Sequence, residues 1–276
     1  MSKRTKARQR AAAPDVQRAQ PVASAPPQRT RAVAGAEAAR TRWDAIDFAR
    51  GLAIVAMIVY HFCFDLAFNG WLAADLYHDW RWIGFRMPIL GSFLFIAGAS
   101  LGLATARGQP AEKFWRHIAI IAGAALLVTA GSYLMFPDSF IYFGVLHAIV
   151  VMSVLARMML PLGFWLVGLG IAIVVAGAAI RSPVFDQPLL HWIGMMTFKP
   201  RTEDYVPLFP WFGVLLAGAG LGGWLARPGA AQARTAAWTV PSRLQWLRWM
   251  GRHSLAIYLI HQPLLLGAML AARSLL

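Results

Sequence analysis

From about residue 46 onward the chain alternates long apolar runs with short linkers that collect the charges. Seven runs stand out, at about 46–67, 84–106, 115–135, 140–159, 162–180, 207–226 and 251–272. Each approaches the roughly 20 residues a helix needs to cross about 30 Å of hydrocarbon. A backbone in hydrocarbon must satisfy its own hydrogen bonds, which only helices and closed barrels achieve. Barrel strands are short and alternate in polarity, whereas these runs are long, unalternating and rich in Gly and Ala. The pattern predicts an all-α, polytopic integral membrane bundle of about seven transmembrane helices over residues 43–276.

The first run breaks its own rule. Asp47, Arg50, His61 and Asp65 interrupt an otherwise apolar stretch. At 100° per residue from Asp47, Arg50 falls at about −60°, His61 at about −40° and Asp65 near 0°. All four share one narrow stripe. A charge at mid-bilayer costs about 2.5–3.5 kcal/mol on insertion scales, so this stripe faces protein or water rather than lipid. Asp47 is three residues before Arg50 and can pair with it. Asp65 is one turn beyond His61 and can orient its imidazole as a carboxylate orients a general base; a purely structural His–Asp pair is the alternative.

Composition supports the membrane reading: 58% of residues are hydrophobic and 14% charged, against roughly 25% charged in soluble domains. A net charge of +14 raises nucleic acid as a partner, but its distribution excludes it. Ten Lys or Arg fall in residues 1–42 against Asp15 and Glu37. That stretch of Ala, Pro, Gln and Arg reads as a disordered basic cytoplasmic tail that touches anionic lipid, and it lacks the apolar core of a signal peptide. With the tail inside, Arg107, Lys113, Arg116, Arg157, Arg227, Arg234, Arg243, Arg248 and Arg252 all fall on the cytoplasmic side. The opposite side receives residues 68–83, Pro137-Asp138-Ser139 and the mixed loop 181–206. The alternation predicts a cytoplasmic N-terminus and an external C-terminus. Cys63 is the single cysteine, so neither an intrachain disulfide nor a cysteine metal cluster is available.

Further polar residues accompany the stripe. His147 lies in the fourth run, and in the seventh Ser254, Tyr258 and His261 fall within about 60° of one another. Asp204 stands with Glu203 among aromatics at the outer mouth of the sixth run. No HxxxH or HxxE pair supports a metal site, and none is expected. His117, His191 and His253 fall near the interfaces as bystanders. Gly98-x3-Gly102 and Gly218-x3-Gly222 have the spacing that lets helix backbones touch. Pro88 and Pro210 are candidate kinks, and a short interfacial helix is expected around 189–197.

Several blocks together carry a family resemblance: Ile46-Asp47-Phe48-Ala49-Arg50-Gly51 with His61, Gly91-Ser92-Phe93-Leu94-Phe95-Ile96-Ala97-Gly98, Phe143-Gly144-Val145-Leu146-His147, Asp204-Tyr205-Val206-Pro207-Leu208-Phe209-Pro210-Trp211, and Ser254 through Pro263. In that order they resemble bacterial membrane proteins related to the catalytic domain of heparan-α-glucosaminide N-acetyltransferase, over about residues 43–270. Arg50-x10-His61 is also similar to the signature of the wider membrane acyltransferase superfamily. The resemblance implies an enzyme passing an acyl group, acetyl in the first instance, from cytoplasmic acetyl-CoA to an amine or hydroxyl of a glycan-like acceptor on the far side. Arg50, with Asp47, is then the donor-binding candidate, His61 with Asp65 the catalytic candidate, and His147, Asp204, Tyr258 and His261 the substrate-binding candidates. One departure matters. In the lysosomal enzyme the proposed active histidine lies in the first non-cytoplasmic loop, and the position matching His61 is not histidine, so His78 stands as a second catalytic candidate. The competing class is a proton-coupled transporter that uses the buried His and Asp residues as a relay. A homo-oligomer is compatible with either.

Overall fold

The computed structural model describes residues 43–76 and 78–275; the tail expected over residues 1–42 lies outside them. The described residues form helices and loops, with one isolated bridge between Phe143 and Tyr205. The elements are α1 (Asp44–Phe68), α2 (Trp80–Ala106), α3 (Ala111–Met135), α4 (Val145–Met159), α5 (Trp165–Ala179), α6 (Leu208–Leu225), α7 (Ala230–Ala237), α8 (Gln245–Arg252) and α9 (Ser254–Leu275). A 3₁₀ turn, Leu160–Leu162, extends α4.

Six of these are long and apolar enough to cross a membrane: α1, α2, α3, α4 with its 3₁₀ extension, α6 and α9. The protein is therefore an all-α polytopic helical membrane protein. The remaining predicted run is α5, which has 15 residues. Helix α5 packs antiparallel along α6: a side chain at Gly170 would strike the Gly213 carbonyl and one at Gly220 would meet Leu166.

Small residues hold the centre together. A side chain at Gly98 would overlap the Leu215 carbonyl, at Gly102 that of Ala219, at Gly218 that of Phe95 and at Gly222 that of Ala99. The two glycine motifs therefore face each other, and α2 and α6 run parallel with backbones in contact. Lipid tails are as apolar as leucine, so such close van der Waals packing drives helix association in a bilayer. Around this seam, Leu94, Phe114, Met152, Leu166, Leu215 and Leu216 form the buried core shared by α2 to α6.

Helix α1 lies beside this core. Its buried positions are Asp47, Gly51, Ala53, Ile54, Met57, Tyr60 and Asp65, so the polar stripe falls on its packed face. Helix α8 crosses the start of α1 through Gly51 and Gly251, where any side chain would overlap the Leu247 and Asp47 carbonyls. A single residue, His253, joins α8 to α9.

Two local expectations are adjusted. At Pro210 the chain breaks before the helix proper: Phe209 is extended (φ −100°, ψ 134°), and proline takes the first helical position, where its missing N–H costs nothing. The short helix expected around 189–197 is a 3₁₀ segment over Pro188–Ile193. Pro188 opens it, and Gly194, at φ 89°, ends it.

Candidate functional site

Polar side chains gather at three levels. At the N-terminal end of α1, Asp47 is buried and its two oxygens take different arginines: Arg50 Nη1 donates to Oδ1 and Arg252 Nε to Oδ2, each at 3.1 Å. Arg248 donates to Asp44 at 2.9 Å, and Arg252 lies 3.6 Å from the same carboxylate. The second guanidinium nitrogen of Arg50 donates to Ser100 Oγ on α2 at 2.9 Å. Three guanidiniums share two carboxylates, which leaves this end positive. The Asp47–Arg50 pair read from spacing is present. Arg248 and Arg252, four residues apart, face Asp44 and Asp47, three apart, and that one-turn spacing of each pair is the signal present in the sequence.

The second level lies eleven residues further along α1, about 16 Å at 1.5 Å per residue. Here His61 meets His261 of α9, with ring centroids 5.0 Å apart. His261 is buried, one of only two such residues on α9. Its Nδ1 lies 2.6 Å from the Tyr258 carbonyl. A carbonyl only accepts, so Nδ1 carries the proton and Nε2 is left with its lone pair. That Nε2 is buried and has no hydrogen-bond partner. His61 is half-buried, and its ring nitrogens make no hydrogen bond among the described residues.

Asp65 departs from the expected pairing with His61. Its oxygens accept the Gln262 amide at 3.0 and 3.3 Å instead. Helix α9 brings an amide donor to the carboxylate, and among the described residues no hydrogen bond joins Asp65 to His61. Gln262 Oε1, like His261 Nε2, is buried and unpartnered. Gln262 escaped the sequence reading because an uncharged amide beside a histidine carries no signal of its own.

The third level is the far mouth. Asp204 Oδ2 accepts the backbone N–H of Val145 at 2.8 Å, closing the N-terminus of α4. Helix N-termini expose unsatisfied donors and a partial positive charge, so a carboxylate fits there. Burial pushes the Asp204 carboxyl above the usual carboxylate range, while the Val145 N–H and the charges of Arg86 and Lys199 pull it back. Tyr258 lies near enough to feel the Asp204 charge, which links this level to the histidines. Arg86, on α2, lies beside the Tyr60 phenol. The sequence reading passed over Arg86, although a charge inside an apolar run was the signal that found Arg50.

The other candidates lie elsewhere. His147 has both ring nitrogens occupied: Nε2 is 3.1 Å from Thr129 Oγ1, and Nδ1 accepts the Gly144 N–H at 3.3 Å. It braces the turn into α4. The side chain of His78 is 86% exposed in the α1–α2 loop and paired with Asp75 at 2.9 Å. The structure thus brings together His61, Asp65, Tyr258 and His261, with Asp204 behind Tyr258 and with Arg50 and Asp47 further down the same helix. It does not bring in His78.

Residues 42–263 match the family described as heparan-alpha-glucosaminide N-acetyltransferase, catalytic. No curated protein and no solved structure matches the chain. The family match takes in the arginine-rich end, both histidines and the far mouth in one continuous stretch. The chain therefore belongs to the heparan-alpha-glucosaminide N-acetyltransferase catalytic family and is an N-acetyltransferase-like membrane enzyme.

Proposed function

We propose that the protein passes an acetyl group from acetyl-CoA, bound at the arginine-rich end of α1, to an amine or hydroxyl of a glycan-like acceptor that enters from the opposite mouth. The observation that carries this reading is the His61–His261 pair: two imidazoles in contact, one with its tautomer set by a carbonyl and a bare Nε2. A neutral imidazole is the side chain suited to removing a proton from a nucleophile near neutral pH. His261 Nε2 takes that proton, and His61 beside it relays it onward. The new bond from the nucleophile to the acyl carbon forms as the thioester C–S bond breaks. The proton ends on the departing thiol. Arg50, Arg248 and Arg252 supply guanidiniums suited to the donor's phosphates. The excess of positive linkers beside them supports a cytoplasmic location for this end.

Acetyl transfer measured with purified variants in nanodiscs tests the proposal. A positioned base is worth about 10²–10⁴-fold. His61→Ala and His261→Ala should each lose at least about a hundredfold in turnover while still binding acetyl-CoA, and His78→Ala should stay near wild type. Full activity in His61→Ala with loss in His78→Ala would transfer the chemistry to the loop.

A further inference from the structure

Where α5 ends and α6 begins, the chain forms an open cavity of about 300 Å³ that the acyl-transfer site does not use. That volume suits a small ligand or the head of a larger one. Its lining is cationic and apolar. Arg181 and Lys199 stand with Met195, Met196, Phe198 and Phe209, and no carboxylate among the described residues lines it.

The wall is fixed by its own hydrogen bonds. Arg181 Nη1 donates to the Gly177 and Ile180 carbonyls at the end of α5, both at 2.8 Å. Its Nε and Nη2 make no hydrogen bond among the described residues. Those two nitrogens are the side of a guanidinium that matches two oxygens of one phosphate. Asp186, in the same loop, is held at both oxygens by Thr197, at 2.8 and 2.6 Å. The Tyr205 hydroxyl donates to the His191 carbonyl at 2.6 Å, and Phe198 lies edge-on to the His191 ring. Met195 sits at φ 60°, and its carbonyl accepts the Ser182 N–H at 2.9 Å. A side chain held in the left-handed region costs energy, and such residues cluster at ligand clamps. The surroundings decide between a soluble anion and a lipid. Val184, Leu189 and Phe198 are exposed although they lie in the loop between α5 and α6. Apolar side chains beside cations fit the boundary between headgroups and acyl chains.

We propose that this cavity binds the phosphate of an anionic lipid, with Nε and Nη2 of Arg181 on its oxygens, Lys199 as the second cation and Phe198 beside the start of the chains. Lys199 also feels the charges of Asp204, Glu203 and Arg86, so an occupied cavity adds negative charge beside the far mouth. The inference stands apart from the acetyltransferase reading, because it concerns lipid binding without turnover.

Native mass spectrometry of the full-length protein in a neutral detergent tests it, with dioctanoylphosphatidylglycerol, dioctanoylphosphatidylcholine and glycerol 3-phosphate titrated separately. The wild type should hold phosphatidylglycerol at least about tenfold more tightly than either of the others. Arg181→Gln should weaken that binding by about 10–100-fold, the range for a charge-assisted hydrogen bond. Lys199→Gln should weaken it at least about threefold and serves if Arg181→Gln fails to fold. Lys113→Gln, which removes an exposed cation near the start of α3, should leave it unchanged. Equal binding of the two lipids, or unchanged affinity in the folded Arg181 and Lys199 variants, overturns the proposal. So does an equal loss in Lys113→Gln, which would trace the binding to net charge. Glycerol 3-phosphate held as tightly as phosphatidylglycerol would overturn the lipid assignment in favour of a soluble phosphate.

Discussion

Asp204 and Arg50 show how a single ionisable residue in this bundle is tied into the packing. Asp204 closes the N-terminus of α4 while facing Arg86 and Lys199. Asp204→Ala frees the Val145 N–H and removes the carboxylate between two cations, and should cost about 1–2 kcal/mol, the usual worth of a helix cap. Its carboxyl titrates above the ordinary range when folded, so the unfolded chain ionises first. Stability therefore falls as pH rises from the ordinary aspartate range, about 4, to the raised folded value. Thermal midpoints across that window should decline for the wild type and stay flatter for Asp204→Asn; identical profiles would show that the shift is not expressed. Arg50 makes the opposite trade. Asp47 keeps Arg252 as a partner when Arg50 is removed, so Arg50→Ala should still fold. Its loss should weaken acetyl-CoA binding by about 10–100-fold, the range for a charge-assisted hydrogen bond. Unchanged affinity with a lowered melting temperature would make the Asp47–Arg50 pair structural only.

At the scale of the element, the glycine seam between α2 and α6 is the least forgiving feature. Gly98→Leu has no room, because even a β-carbon would overlap the Leu215 carbonyl. The helices must separate, and the variant should lose its folded, monodisperse state in detergent. Gly123→Leu, at a helical position with open space around it, should be tolerated. Much of this layer was legible in the chain. Helix existence followed from run length, the seam from small-residue spacing, and the inward stripe of α1 from the 100° rotation that carries Asp47, Arg50, His61 and Asp65 to one side. The partners of that stripe were not legible. Asp65 meets Gln262 and Asp47 meets Arg252, across about two hundred residues of sequence. One-helix periodicity reports which side is buried and is silent on which helix covers it. The short helix α8 escaped for a related reason: its eight residues are too short to span a bilayer, and only its contact with α1 gives it a role.

For the whole molecule, the number of crossings turns on α5. Helix α5, at 15 residues, extends about 22 Å and falls short of a full bilayer by length alone. A reporter fused after Leu276 should nevertheless be active outside the cytoplasm and silent within it if the basic linkers hold the start of α1 inside. A cytoplasmic signal would mean that one segment turns back. The parallel seam of α2 and α6 decides against that. Two parallel helices enter from the same leaflet, so the chain must change sides an odd number of times between them. Helices α3 and α4 supply two changes, and α5 is the only segment left to supply the third. Parity, not hydrophobic length, thus makes α5 a full traverse, and with α9 it sets the two ends of the membrane domain on opposite sides. A traverse this short is met by local thinning of the bilayer or by snorkelling of its flanking residues. Its length would carry the enzyme to the thinner parts of a membrane, where that distortion costs least.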